Sequence, residues 1–359
     1  MTRRARIATV AAALTLAVIL GGAAAAYFVR STTEEGTPVY WKGGCTFITP
    51  DTIPPPELSL DEVLATLKRS TDNWQSRTGA CSYLKINIDP PAANETKLDL
   101  KNVLKFRFDR WCHPADPTKN MQEVCYAPQA AAITTVFYNN DKEKPKDYAS
   151  IMDADIELNT LNFTFVNLPS SVQPRTGTQL ADFENTLTHE LGHFMGLDHT
   201  CWDHTSTLHP LDDSGQPVPE CGAVIAHMVP DDVYTKITQS TMFNYASPGE
   251  TLKRTPEVDD VDAICRIYPS AKNPNQCTRV GESGCGCAVA AIADRKTVPA
   301  PIAAPPTGRS LSTEAPWVSS SYLPYPPSSC ASRTPSRARR SESPSGAVSA
   351  AGTRGSATS

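Results

Sequence analysis

One stretch of the chain, His189-Glu190-Leu191-Gly192-His193-Phe194-Met195-Gly196-Leu197-Asp198-His199, carries side chains whose types and spacing suit metal-assisted hydrolysis. On a helix, residues four apart project from one face, so His189 and His193 can grip a single ion. Gly196 permits the left-handed backbone that ends such a helix and swings the chain round. That turn lets His199 reach the same ion as a third ligand. Three imidazoles leave one corner of a zinc tetrahedron open for water, which is the catalytic rather than the structural arrangement. Glu190, beside the first ligand, is placed to act on that water as general base. Any one of these histidines alone reads as an ordinary surface or core residue; five fixed positions together do not.

Such a group needs a helix to carry it and a sheet to hold the helix. The zinc helix is expected from about 181 to 195, capped by Asp182 or Thr178. Residues 39–49 alternate like a strand and are followed by the breaker Pro54–Pro56. Leu58, Val63, Leu64, Leu67 and Trp74 then recur at helical spacing from an Asp61 start. Residues 83–88 and 103–108 alternate in period two, and 130–138 and 151–158 also read as strands. The last of these carries acidic residues at alternate positions. A final helix is expected from 256 to about 267, with proline in its first turn. The order predicts an α+β domain with one mixed, twisted sheet and no internal repeat.

The chain has 359 residues, 40% hydrophobic and 20% charged, with a formal net charge of −5. That balance suffices for a core and excludes a wholly disordered chain. It also argues against a nucleic-acid partner, which needs a concentrated basic face. Arg3, Arg4 and Arg6 precede an uncharged apolar tract and the small-residue run Ala23 to Ala26. Residues 1–26 therefore read as a signal peptide cut near Ala26, with an uncleaved signal anchor as the alternative. Either reading places the remainder outside the cytoplasm, secreted or in the cell envelope. Eleven cysteines agree with an oxidising compartment. Eight of them lie at or before Cys277, and a sequential pairing is expected: Cys45–Cys81, Cys112–Cys125, Cys201–Cys221 and Cys265–Cys277. Residues 27–37 read as a linker, 38–270 as the catalytic domain, and 271–359 as a cysteine-containing linker with a disordered Ala/Pro/Ser/Arg-rich tail. A monomer is expected.

The motif resembles the signature of metzincin zinc proteases, and the likeness runs past the zinc helix. Ser240-Thr241-Met242-Phe243-Asn244-Tyr245 is similar to the metzincin Met-turn, with Met242 as its base. Paired aspartates Asp259 and Asp260 open a run ending in Ile267-Tyr268 that resembles the C-terminal helix of matrixins. Asp153 to Asn159 is similar to the matrixin edge strand, which binds substrate backbone by adding it to the sheet, so Asp155, Ile156 and Glu157 are the expected substrate contacts. Tyr245 stands near the position where astacins place a tyrosine that touches zinc or steadies the oxyanion, one residue off their spacing; a buried core tyrosine is the alternative. The resemblance implies a metzincin-like zincin fold. It implies one catalytic zinc on His189, His193 and His199, with Glu190 as base and a protein or peptide as substrate.

The departures are as informative. Matrixins carry a second, structural zinc on upstream histidines, and only His113 lies upstream of the motif here. Asp153, Asp155 and Glu157 are candidate Ca2+ ligands or solvated strand carboxylates. There is no latency peptide; Cys45 is either a zinc-blocking thiolate or a disulfide partner. His204, His209 and His227 suggest either a second metal site or a cleft loop stapled by a disulfide. Gly284-Cys285-Gly286-Cys287 faintly resembles a cysteine-led surface-sorting end, so contact with a membrane is expected only through that end or an uncleaved anchor. The competing reading of the whole chain is a non-catalytic surface or adhesion module that kept the fold. Glu190 separates the two, since a degenerate copy loses the base.

Overall fold

In a computed structural model, which describes residues 27–204, 208–281 and 319–325, the period-two segments pair into one twisted sheet. The strands are β1 (Tyr40–Trp41), β2 (Cys45–Pro50), β3 (Lys85–Ile88), β4 (Val103–Arg107), β7 (Ala132–Asn139), β8 (Ser150–Asn159) and β11 (Ser319–Tyr325). Their order is β11-β7-β8-β4-β2-β3, with β1 alongside β8. Every pairing is parallel except β7 against β8. Two small ladders, β5 (Cys112–His113) with β6 (Val124–Cys125) and β9 (Phe163–Val166) with β10 (Gln179–Asp182), lie outside this sheet. The result is a mixed α/β arrangement with a mostly parallel sheet and few helices.

Helix α1 (Leu60–Thr78) begins at a capping box: Ser59 accepts from the Glu62 N–H, and Glu62 reaches back to the Ser59 N–H. Helix α2 (Phe183–Phe194) starts at Asp182, whose carboxylate accepts from the Asn185 N–H. Two short helices follow, α3 (Cys221–Ile225) and α4 (Asp231–Gln239), then α5 (Val258–Ile267). Helix α2 is buried along its whole length between α1 and the sheet. The Trp74 indole of α1 donates to the Thr188 carbonyl of α2 at 2.9 Å, and Phe106 of β4 packs on Phe183. Leu104, Phe106, Val136, Ala154, Ile156 and Leu158 supply the sheet side of that core.

The structure corrects several expectations. The strand Asp155-Ile156-Glu157, expected at the edge, is interior: β8 lies between β7 and β4. Its acids are not solvated either. Asp153, Asp155 and Glu157 are fully buried on the face away from α2, roofed by the segments around 97–103 and 111–126. Those segments bring backbone N–H groups that need acceptors. Asp153 takes the N–H of Asp99 (2.8 Å) and Leu100 (2.6 Å), and Asp155 takes those of Lys97 (2.9 Å) and Val103 (2.8 Å). Glu157 is held by Arg107 and by His113, the latter at 2.7 Å. Among the described residues these carboxylates form no metal-binding group.

The pairing of cysteines also differs. Cys112–Cys125 and Cys201–Cys221 form as expected, but the others join Cys45 to Cys277 and Cys81 to Cys265. After α5 the chain runs back past the end of α1 and the start of β2. The Ser270 N–H bonds the Cys81 carbonyl, and the Gly44 N–H bonds the Gln276 carbonyl, both at 2.8 Å. Cys45 is thus a disulfide partner and not a zinc-blocking thiolate. The expected linker 27–37 is in part core, with Phe28 and Val29 buried. Within the expected disordered tail, Ser319–Tyr325 pairs with β7. The expected signal peptide, residues 1–26, and the Gly284–Cys287 run lie outside the described residues. Four disulfides suggest an oxidising or extracellular environment, and no described helix is long and apolar enough to cross a membrane.

Burial raises the carboxyl group of Asp153 to about 7, with the Asp99 charge adding, and raises that of Asp155 well above its usual value, with the Asp153 charge adding. The unfolded pKa is about 3.9, so the folded state binds the extra proton. For Asp153 that contribution is present below pH ~4 and is lost as pH rises towards about 7, by up to about 1.4 kcal/mol per pH unit. Asp153→Asn retains an oxygen for the two N–H donors and removes the titration. Urea unfolding of this variant is therefore expected to show a shallower loss of stability between pH 5 and pH 7 than the parent. Parallel losses would contradict a buried proton on Asp153.

Candidate metal centre

Three local devices bring the histidines together. The i, i+4 spacing puts His189 and His193 on one face of α2. Gly196 then turns the chain at φ +97°, where a Cβ would meet the Val39 carbonyl oxygen at 2.8 Å. The turn is held from outside by the N-terminal segment: the Ser31 N–H bonds the Gly196 carbonyl, and the Asp198 N–H bonds the Val29 carbonyl, both at 3.0 Å. His199 is the first residue beyond it.

The three rings converge through their Nε2 atoms, at 3.1 Å (His189–His193), 3.0 Å (His193–His199) and 3.3 Å (His189–His199). Each Nδ1 is committed elsewhere. His189 Nδ1 donates to the Thr241 carbonyl at 2.6 Å, His193 Nδ1 to the Leu197 carbonyl at 2.9 Å, and His199 Nδ1 to the Asp203 carboxylate at 2.8 Å. These bonds fix the tautomer, so three Nε2 lone pairs face one another. Burial lowers the pKa of His189 and His193 well below the usual imidazole value, favouring the neutral, ligating form. Burial lowers His199 too, but the Asp203 carboxylate outweighs it and the group is raised. The set is a buried group that can bind a metal ion. The other such cluster among the described residues, Cys112, Glu123 and Cys125, is taken up by a disulfide.

Glu190 is buried beside the three rings. Burial pushes its carboxyl up to about 8, against the opposing pull of the Thr134 hydroxyl and His199. Thr134, on β7, places Oγ1 2.6 Å from Glu190 Oε2; Glu190 Oε1 has no partner among the described residues.

Met242 packs against α2 at Gly192. Its sulfur approaches Gly192 so closely that a Cβ there would lie 2.2 Å from it. The turn that carries it is held by Asp260 at the start of α5, which accepts from the Ser240 hydroxyl at 3.0 Å and the Thr241 N–H at 2.9 Å. That contact fixes Thr241, whose carbonyl orients His189.

Tyr245 is half-buried against Phe243, and its carbonyl accepts from the buried Lys253 Nζ at 2.8 Å. Tyr245, Lys253 and Phe243 line a cavity whose wall includes His189. His113 is in the acid column of β8, remote in role from the centre. His209 stacks on Trp202 and His227 on Tyr234, in a region stapled by Cys201–Cys221. Neither joins a metal group among the described residues.

Sequence reasoning singled out the three histidines that converge and Glu190 beside them; it named Asp260 only as part of the C-terminal helix run, and it passed over Asp203 and Thr134. Asp203 had a usable signal, standing four residues after His199; Thr134 had none, because its contact crosses from sheet to helix. Compared with protein-family models and with curated proteins, the chain matches none.

Proposed function

We propose that the protein is an exported zinc endopeptidase of the metzincin type, matrixin-like, with a protein or peptide substrate. One observation carries this reading: three pre-oriented imidazoles meet at a point through their Nε2 atoms, with an unpartnered carboxylate oxygen nearby. A tetrahedral ion with N–metal bonds of ~2.0–2.1 Å has N···N edges of about 3.3–3.4 Å, and the observed 3.0–3.3 Å edges fit such an ion closely. Zinc held there supplies a Lewis acid and lowers the pKa of water towards ~7.

The protein's own groups do the rest. Glu190 Oε1 accepts the proton of the attacking water and returns it to the departing amine. Asp203, Thr241 and Leu197 keep the imidazoles from rotating. Met242 and Gly192 pack the floor, so the ligand helix cannot shift. Strand β7 adjoins the base, and β11 occupies its outer edge; strand addition by a substrate at that edge requires β11 to leave. The test is digestion of a random peptide library by the purified protein, with products read by mass spectrometry. New internal cleavages that vanish with a chelator are expected. An undigested library would sink the peptidase reading and favour the binding module.

The Thr134 contact gives a second expectation. Thr134→Val keeps a β-branched residue on β7 but frees Glu190 Oε2, so kcat should fall about tenfold with KM little changed. Thr134→Ser should retain most of the rate. Equal rates for all three proteins would show that Glu190 is held by packing alone.

A further inference from the structure

Strand β7 borders the metal centre. Its Thr134 hydroxyl holds Glu190, and its Val136 and Tyr138 share a core with Leu187 and Leu191 of α2. On one side β7 pairs with β8. On the other it is covered from Ile133 to Asn139 by β11, in parallel and in register throughout. Ser320 stands opposite Thr134, Tyr322 opposite Val136 and Pro324 opposite Tyr138. β11 is the end strand of the sheet. Without it, β7 would present a row of unpaired N–H and C=O groups beside the metal centre, the kind of edge to which an extended peptide adds.

The covering strand is weak in its own right. It reads Ser-Ser-Ser-Tyr-Leu-Pro-Tyr, and Pro324 has no N–H to give to a ladder. Pro326 and Pro327 follow at once. β11 therefore takes the edge of β7 and offers a poor edge in exchange. Its hold comes from its tether. Residues 282–318 join it to the rest of the chain, 37 by count, a stretch that reaches at most about 130 Å. A segment tethered in this way competes at an effective concentration of ~mM, whatever the concentration of the protein. The eight cysteines among the described residues are all in disulfides, so none of them supplies a thiolate to block the metal. Restraint of the centre falls to the edge.

We infer that Ser319–Tyr325 is a built-in competitor of the peptide substrate: it fills the outer edge of β7 and must leave before a peptide can lie along the metal centre. The inference rests on the peptidase reading and adds its regulation. Competition of this kind raises the apparent KM and leaves kcat unchanged, because a molecule whose edge has been vacated carries an unaltered centre. With an effective concentration of about 1 mM and a Kd of about 0.1 mM for the free segment, the apparent KM rises about tenfold.

The test compares the full chain with a full-length variant carrying Ser320→Pro, Ser321→Pro and Tyr322→Pro together. The three changes remove consecutive N–H donors from β11 and leave β7 and the metal ligands unaltered. A fluorescent synthetic peptide of the sequence Ser319–Tyr325 should bind the variant with a Kd of about 0.1 mM and the parent about tenfold more weakly. No binding to the variant, or equal binding to both, overturns the proposal. A reporter peptide cleaved by the parent should show a KM about tenfold lower in the variant, at the same kcat. Equal KM values would mean that substrates do not use the β7 edge, and would overturn the competition. Dilution should leave the parent's KM unchanged; a fall would show the tail acting between copies and overturn the tether. If neither protein cleaves any peptide while the labelled peptide still separates them, the peptidase reading falls and the occupied edge stands.

Discussion

Glu190→Gln is expected to abolish peptide hydrolysis while zinc stays bound. The amide is nearly isosteric, the three imidazoles are untouched, and Thr134 Oγ1 still finds an oxygen acceptor where Oε2 now lies. What is lost is the capacity to take a proton. General-base assistance contributes ~10²–10⁴-fold, so turnover should drop by at least that range. Zinc analysis alongside a peptide assay separates this failure from metal loss. A glutamine variant that cleaves at the parental rate would remove the mechanism and move the binding-module reading ahead.

His199→Ala is expected to fail differently, by losing the metal. His199 stands beyond a left-handed glycine turn, and its ring is oriented by a single side chain, Asp203. With His199 gone, two ligands remain, and zinc should not survive dialysis against a weak chelator. Asp203→Asn is the graded version. Loss of such an outer partner typically costs ~10–100-fold in metal affinity, which competition against a zinc-binding dye can read. If Asp203→Asn binds zinc as tightly as the parent, the His199 ring is positioned by its packing, and the carboxylate is incidental.

What the sequence made legible was local. The two histidines four apart, the glycine turn and the Asp182 cap are all written within a few residues, and α2 follows from them. The α1 start was expected at Asp61, whereas the capping box of Ser59 and Glu62 starts the helix at Leu60. What escaped was everything set by distant chain segments. Period two correctly gave β8 two faces, but alternation cannot say what covers a face. The acids of β8 were therefore taken for solvated, when loops had folded over them. Strand order is equally silent in a single sequence, so β8 was expected at the edge, where β7 with β11 actually lies. Cysteine pairing failed where the loop is longest: 232 residues separate Cys45 from Cys277, which meet only after the chain leaves α5. Only the short Cys112–Cys125 and Cys201–Cys221 loops matched sequential reasoning.

The most direct test is a zinc titration of the chelator-stripped protein, with the rate of peptide hydrolysis read after each addition. A single site on His189, His193 and His199 predicts a rise from zero to a sharp plateau at one equivalent per chain. The same titration of His199→Ala should stay flat at stoichiometric zinc. A break at two equivalents would contradict the single three-histidine centre. A parent protein that takes up its zinc and still cleaves nothing would contradict the hydrolase itself.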